Sequence, residues 1–423
     1  MIEDIFDTEL ADRPIFKDLT VLSPHYVPDE LPHRERESRE ISRILAPILR
    51  QEKIQNIFIY GKTGTGKTSV VRYVTNRLED VASDPTKNKK GIKIKSIYTN
   101  CKIHSSHYQV LIQVLENDYF TQGILKDSPF IGRTDFRLTG LTPGDLYDRL
   151  LRVTKNNNLQ LIIVLDEIDT VKNLDELVYA LTRINDELSQ GQVAIIGISN
   201  KYGFKDKLDP RSKSTLCERE LVFKPYNASQ LTTILKQRVK LGLKRNCIKD
   251  SELELIAAIS AKTNGDARYA LRLLQRAGEI AESKKETKII DKDVRLAAKK
   301  VEEDLMAEVV SSLPEHQQVV LYAITETIIG GQRQKKLSGL NQDTLTSGEV
   351  YEKYDQVCKH ISRKPRTLRW FREYLNDLEM LGLVSLTVSG KGVRGNTTLI
   401  LLGYDPKEIK NIVTASLGLK GQR

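Results

Sequence analysis

Eight residues, Gly61-Lys62-Thr63-Gly64-Thr65-Gly66-Lys67-Thr68, have the types and spacing needed to hold a polyphosphate. They match the pattern G-x-x-x-x-G-K-[ST] in full. The glycines allow the backbone to fold so that successive N–H groups face one anion, and a helix starting there adds partial positive charge. Lys67 is expected to reach the β- and γ-phosphates, and the Thr68 hydroxyl to meet Mg²⁺. Gly61, Thr63, Gly64, Thr65, Gly66, Lys67, Thr68 and Ser69 are the expected contacts to ATP or ADP. A metal also needs a carboxylate. Asp166 closes the apolar run Leu161-Ile162-Ile163-Val164-Leu165, and Glu167 beside it could orient or deprotonate a water for attack on the γ-phosphate. Asn200 follows the next apolar run, where a polar group could hold that water or the γ-phosphate; an ordinary turn asparagine fits the same position. Arg268 and Arg211 are candidate sensors of the γ-phosphate. Arg272 and Arg276 repeat at four-residue intervals after Arg268, which a solvated stripe also explains, and Arg211 by chemistry alone is one exposed arginine in a loop.

These side chains need a frame. Ile57–Tyr60 reads as a strand and Ser69 onward as a helix, so the glycine-rich loop joins the two. Strands are expected at 92–100, 161–165, 193–198 and 220–223, with helices near 108–115, 146–153 and 174–184. Such alternation predicts a doubly wound α/β domain whose buried strands lie parallel. Pro24, Pro28 and Pro32 keep 22–34 extended, a helix begins near Glu35, and residues 1–20 read as an arm. From Asn227 to about Asp304 only helical patterns occur, the clearest at 266–284.

The last third differs. Helices are expected at 304–312, 315–329, 347–361 and 365–381, then strands at 383–388 and 397–402 around a Gly- and Lys-containing tip, the pattern of a winged helix-turn-helix. In 365–381, Leu368, Phe371, Leu375 and Leu378 share an apolar face, Arg366, Arg369 and Glu373 another, and Pro365 suits a first turn. Arg363, Lys364, Arg366, Thr367 and Arg369 are the expected contacts of a recognition helix in a DNA major groove; Lys391, Arg394 and Asn396 are those of the wing. Residues 311–423 hold 16 Lys and Arg against 11 Asp and Glu. A protein-binding winged helix with a solvated basic face fits that excess too.

At 423 residues the chain needs more than one core, and boundaries are expected at 1–225, 226–304 and 305–423. The net charge of +10 permits a polyanionic partner and equally suits a soluble surface. Cys101, Cys217, Cys247 and Cys358 form no C-x-x-C pair and read as small core residues in a reducing compartment. No signal peptide or membrane-spanning run is visible, so a cytoplasmic, nucleoid-associated protein without a membrane partner is expected.

Across nearly the whole chain the sequence resembles the archaeal replication-initiator family of AAA+ ATPases, related to the origin recognition complex and its helicase-loading partner. The motifs are Tyr26-Val27-Pro28, Leu31-Pro32-His33-Arg34, GKTGTGKT at 61–68, YTNC at 98–101, LDEID at 165–169, ISN at 198–200, LDPR at 208–211, GDARYAL at 265–271 and LPEHQ at 313–317. The resemblance implies an AAA+ P-loop core, an all-helical lid and a C-terminal winged helix. It implies Tyr26, Val27 and Arg34 near adenine, Asn200 and Arg268 as first and second sensors, and Arg211 acting on a neighbouring subunit's nucleotide. Implied partners are double-stranded origin DNA, the minichromosome maintenance helicase and paralogous initiators, with slow hydrolysis of ATP as a switch. The family's DNA-contacting insert is expected close to Gly140-Leu141-Thr142-Pro143, here preceded by a long irregular stretch, 118–137. Two other readings exist. A clamp-loader-type ATPase is disfavoured by the missing cysteine cluster and by LDPR in place of a Ser-Arg-Cys finger. A signalling ATPase with an autoinhibitory winged helix would show no DNA affinity.

Overall fold

Leu159–Asp166 (β3) is buried along its entire length, which requires protein on both faces and a strand on each side. In the computed structural model, which describes residues 13–24, 26–120, 138, 140–330, 344–388 and 397–418, β3 is the second strand of a five-stranded parallel sheet. With β1 (Ile57–Tyr60), β2 (Lys93–Asn100), β4 (Gln192–Ser199) and β5 (Arg219–Val222), the order is β2-β3-β4-β1-β5. Alternate residues of β3 feed opposite cores. Leu161, Ile163 and Leu165 pack with α3 (His107–Leu115), α4 (Pro143–Asn156) and α5 (Leu174–Glu187). Ile162 and Val164 pack with α1 (Glu35–Leu45) and α2 (Lys67–Ser83). The register pairs Asn100 with Asp166, Asp166 with Ile198 and Tyr60 with Ser199, so four strands end at one edge. That carboxyl edge is where doubly wound sheets build ligand sites.

The segment containing Arg211, expected as loop, is instead helix α6 (Pro210–Leu216), capped by the Asp209 side chain. Helices α7 (Ala228–Gly242), α8 (Asp250–Thr263) and α9 (Ala267–Ser283) follow. α9 buries Ala270, Leu271, Leu274, Ala277 and Ala281, the face that its periodicity predicted. α10 (Asp291–Ser312) is one continuous helix, where the sequence reading began a new one near Asp304.

The arm expected at 1–20 is folded from its first described residues. Lys17 and Asp18 donate backbone N–H groups to Gly242 O, Lys244 donates to Ile15 O, and Ile15 N–H donates to Glu282 Oε1 at 3.1 Å. Ile15 and Phe16 are buried.

The chain divides into two compact units, Met1–Arg295 and Leu296–Arg423. The second contains α11 (Glu315–Ile329), β6 (Thr344–Thr346), α12 (Ser347–His360), α13 (Leu368–Met380), β7 (Val384–Val388), β8 (Thr398–Leu402) and α14 (Pro406–Ser416). Its antiparallel sheet, β6-β8-β7, gains a third strand and a final helix that the sequence reading lacked. Tyr354 and Phe371 are the largest side chains fully buried in its core. Two expectations for α13 need correction. Pro365 lies before the helix, which starts at Leu368 after Thr367. Leu368 is not buried but about half exposed, because the core contacts begin one turn later with Phe371. The wing-tip residues Lys391, Arg394 and Asn396 lie outside the described residues, as does most of 118–137.

Besides its backbone hydrogen bonds, this segment buries Ile15, Phe16, Val21 and Leu22, and the Phe16 ring packs against Gly278 of α9. Phe16→Ala should destabilise the protein by about 3–5 kcal/mol, the usual cost of emptying a buried phenylalanine site. A urea titration showing a loss under about 1 kcal/mol would mean that this segment does not hold α7 and α9.

Candidate nucleotide site and nucleic-acid interface

The loop between β1 and α2 turns back on itself at the sheet edge. Gly64 and Gly66 both have positive φ, 66° and 85°. Gly66 packs beside the Tyr226 hydroxyl, and a Cβ at Gly64 would lie 1.6 Å from Asp266 Oδ1. No other residue fits either place without moving a neighbour. Lys67 opens α2 and folds over the loop. Its Nζ donates to Gly61 O at 2.8 Å, Lys62 O at 2.7 Å and Asn200 Oδ1 at 2.8 Å. Burial lowers its pKa from 10.5 to about 8, with Asp166 opposing the shift and Arg268 reinforcing it.

Next in sequence, the Thr68 hydroxyl donates to Asp166 Oδ2 at 2.6 Å. The same oxygen accepts from Tyr98 Oη at 2.8 Å, while Oδ1 accepts from Glu167 N at 2.9 Å. Burial, then the Asp166 charge and the hydrogen bond to it, raise the Tyr98 phenol. Glu167 sits in the left-handed region at φ 53°, a costly conformation for a residue with a Cβ. Asn200 follows β4 between two fixed neighbours. Ser199 Oγ donates to Asp169 Oδ1 at 2.8 Å, and Lys201 Nζ lies 3.1 Å from Asp169 Oδ2. Cys101, anchored by its N–H to Asp166 O, has its thiol pushed up to about 12 by burial and the nearby carboxylates.

Two hard oxygen donors, the Thr68 hydroxyl and the Asp166 carboxylate, therefore face each other beside the phosphate loop. Among the described residues no cluster of three or more His, Cys, Asp or Glu could hold a metal by itself. This donor set suits Mg²⁺, which takes one or two protein oxygens and completes its shell with phosphate and water.

The site is closed from two sides. Arg34, only 4% exposed, donates from Nε to Thr65 O and Tyr226 Oη, both at 3.0 Å, and from Nη2 to Lys224 O at 2.6 Å. Its guanidinium lies over the Tyr226 ring. Tyr26 is stacked by Arg238, and Val27 is half-buried beside it in sequence. On the other side, Asp266 caps α9 by accepting from Arg268 N at 2.7 Å, and Ala267 N donates to Gly64 O at 3.1 Å. The start of α9 thus rests on the phosphate loop, with the exposed Arg268 in its first turn.

The structure gathers Gly61 to Ser69, Asp166, Glu167 and Asn200 at one edge, and Arg268 is close enough for its charge to reach Lys67. Arg211 stands apart: it is exposed on α6, and its N–H bonds Asp209. Sequence reasoning missed Tyr98, Asp169, Tyr226 and Asp266, although all but Tyr226 lie inside motifs already singled out.

In the second unit, Ser362 to Trp370 is exposed without a break. Arg363 pairs with Glu315 at 2.9 Å, so that cation is partly spoken for. The Arg366 backbone is pinned by two tyrosines, receiving from Tyr351 Oη and donating to Tyr354 Oη. Lys364 and Thr367 share the exposed run, and Arg369 is 88% exposed. Helical spacing places Arg369, Glu373 and Asn376 on one exposed face of α13. Asn376 escaped the sequence reading. Trp370, half exposed, leans on Tyr374, which stacks on His316.

A model of the AAA ATPase domain matches residues 30–196, one of the Cdc6 AAA+ ATPase-type lid domain matches 232–299, and one of the CDC6 C-terminal winged helix domain matches 308–412. The ORC1-type DNA replication protein of Thermococcus kodakarensis is 40% identical over 413 residues, which is 97% of this chain and 94% of the relative. The chain belongs to the ORC1-type DNA replication protein family. Its Archaeoglobus fulgidus member is 36% identical over 99% of this chain and 96% of its own. The Aeropyrum pernix ORC1 protein, solved in complex with DNA, has 36% identity, a TM-score of 0.76, and coverage of 96% of this chain and 98% of its own. The Aeropyrum pernix ORC2 protein, at 22% identity and TM-score 0.59, covers 96% of this chain and 98% of its own and shares the fold. This ORC1-type chain accordingly combines an AAA ATPase domain, a Cdc6-type lid and a winged helix. Among its described residues no helix is long and apolar enough to cross a membrane.

Lys67 gives a pH test. The unfolded lysine keeps its proton up to about pH 10.5 and the folded one to about pH 8, so between these values the unfolded state binds more protons and stability rises with pH. In urea titrations the wild type should gain stability relative to Lys67→Met across that window. ATP affinity should move oppositely, weakening above pH 8 as the ammonium is lost. A constant difference between the two proteins from pH 7 to 11 would refute the assignment.

Proposed function

We propose that this chain is an ATP-switched replication initiator that binds origin duplex DNA and recruits or loads the replicative helicase. One observation carries the reading: a closed phosphate-loop site and an exposed basic run at 363–369 occur in a single chain similar to ORC1-type proteins over 97% of its length.

In the ATPase unit, Lys67 binds the β- and γ-phosphates, exchanging three neutral acceptors for charged ones. Thr68 and Asp166 hold Mg²⁺, which when bound neutralises charge on the phosphate oxygens. Glu167 orients the attacking water, and Asn200, released by Lys67, faces the γ-phosphate. Arg268 contributes from the start of α9, so the lid reads which nucleotide is present. Tyr26, Val27 and Arg34 shape the adenine side. Arg211, remote from its own site and exposed, serves the nucleotide of an adjoining copy or paralogue. Hydrolysis in this reading is slow and resets a state, as the resemblance to the initiator family implies.

In the winged helix, Lys364, Arg366 and Thr367 lie on backbone phosphates, with Arg363 joining them when Glu315 lets go. Arg369 reaches base edges from the first turn of α13. The minichromosome maintenance helicase is the partner expected to dock on the DNA-bound form.

Fluorescence anisotropy with labelled origin and random duplexes at several salt concentrations tests this. Lys364→Ala should weaken both duplexes alike and flatten the salt slope by about 1; Arg369→Ala should cost about 1–3 kcal/mol and narrow the origin preference. Lys67→Ala should remove ATP binding while much of the DNA affinity persists. No origin preference in the wild type, or loss of both activities together in Lys67→Ala, would overturn the proposal.

A further inference from the structure

The carboxylate that would hold the metal is held by more than the phosphate loop. Asp166 Oδ2 accepts two hydroxyl hydrogen bonds, from Thr68 and from Tyr98. The two donors are not equivalent. Thr68 is itself a candidate metal ligand: its lone pair can meet a cation while its O–H stays on Asp166, so its position must serve both contacts. Tyr98 has no second task in the site. It lies on β2, whose pairing with β3 sets Tyr98 beside Val164 and fixes its distance from Asp166 through the sheet.

The ring is held in turn. The Arg72 guanidinium lies 3.9 Å from the Tyr98 ring centroid. Its Nε is buried without a hydrogen-bond partner, while the guanidinium stacks on the ring and its charge acts on the Tyr98 hydroxyl. Arg72 is on α2, one turn beyond Thr68. The helix that presents the hydroxyl ligand thus also clamps the tyrosine that aims the carboxylate ligand.

We propose that Tyr98 is the positioning residue for the metal carboxylate and that Arg72 fixes Tyr98 in that role. The phenol O–H holds Oδ2 in one rotamer while Glu167 N–H holds Oδ1, so Asp166 meets the cation already oriented. Outer-shell partners of this kind typically change metal affinity about 10- to 100-fold when removed. The inference rests on the nucleotide reading above.

Tyr98→Phe keeps the ring and the Arg72 stack and deletes only the hydroxyl. Binding of a fluorescent ATP analogue to the full chain would be measured across a Mg²⁺ titration and in EDTA, with Mn²⁺ binding followed directly by electron paramagnetic resonance. The half-saturating Mg²⁺ concentration should rise about tenfold or more, with affinity in EDTA and melting temperature unchanged. Arg72→Met should shift it the same way by less. An unchanged Mg²⁺ dependence in Tyr98→Phe overturns the proposal. A parallel fall in EDTA affinity and melting temperature also overturns it, since the tyrosine would then be merely structural. A wild type whose nucleotide binding ignores Mg²⁺ would instead remove the metal reading itself.

Discussion

A buried guanidinium holds the nucleotide site together. Arg34 connects three stretches distant in sequence: its own entry segment, the phosphate loop through Thr65, and the link from the last sheet strand to the lid helices through Lys224 and Tyr226. Taking such a charge from water costs several kcal/mol unless its donors are satisfied. Here Nε, both terminal nitrogens and the π-face are all engaged, with Glu37 supplying the counter-charge at 2.9 Å. The segment before Arg34 is short of regular structure, so these bonds locate it where it enters α1. The phosphate loop and the link to the lid helices are therefore tied together by one side chain.

A second constraint follows from crowding. Gly64 has no room for a side chain because Asp266 occupies that space, and Asp266 is also the cap of α9. Loop and lid helix share atoms at their contact: a displacement of Gly64 must shift the hydrogen bond from Ala267 or the cap itself. Packed interfaces of this kind change in steps rather than continuously. A shift of the loop is therefore passed directly to the start of α9.

Much of this was legible in the sequence, and the limits were physical. The parallel sheet announced itself through uninterrupted apolar runs, and Asp166 and Asn200 through their places after such runs. Tyr98 and Asp169 were invisible as site residues because their roles depend on which strands become neighbours, a property of register rather than of local pattern. Tyr226 fell where a boundary was expected, and nothing local marks a tyrosine that meets an arginine almost two hundred positions earlier. The arm at 13–22 lacked periodicity because it folds by backbone hydrogen bonds to α7 and the turn after it, which leave no pattern in side chains. Leu368 was misplaced by one turn: Pro365 looks like a helix start, yet the backbone at Arg366 is captured by Tyr351 and Tyr354 and the helix waits until Leu368.

Trp370 is the only tryptophan in the chain, and it sits half exposed on α13 in the second unit. Indole emission therefore describes that unit and leaves the ATPase unit dark. An unfolding curve followed by this emission observes one unit, whereas one followed by circular dichroism observes the helices and strands of both. A mismatch between their midpoints would reflect two cores of unequal stability, not a partly folded intermediate of either.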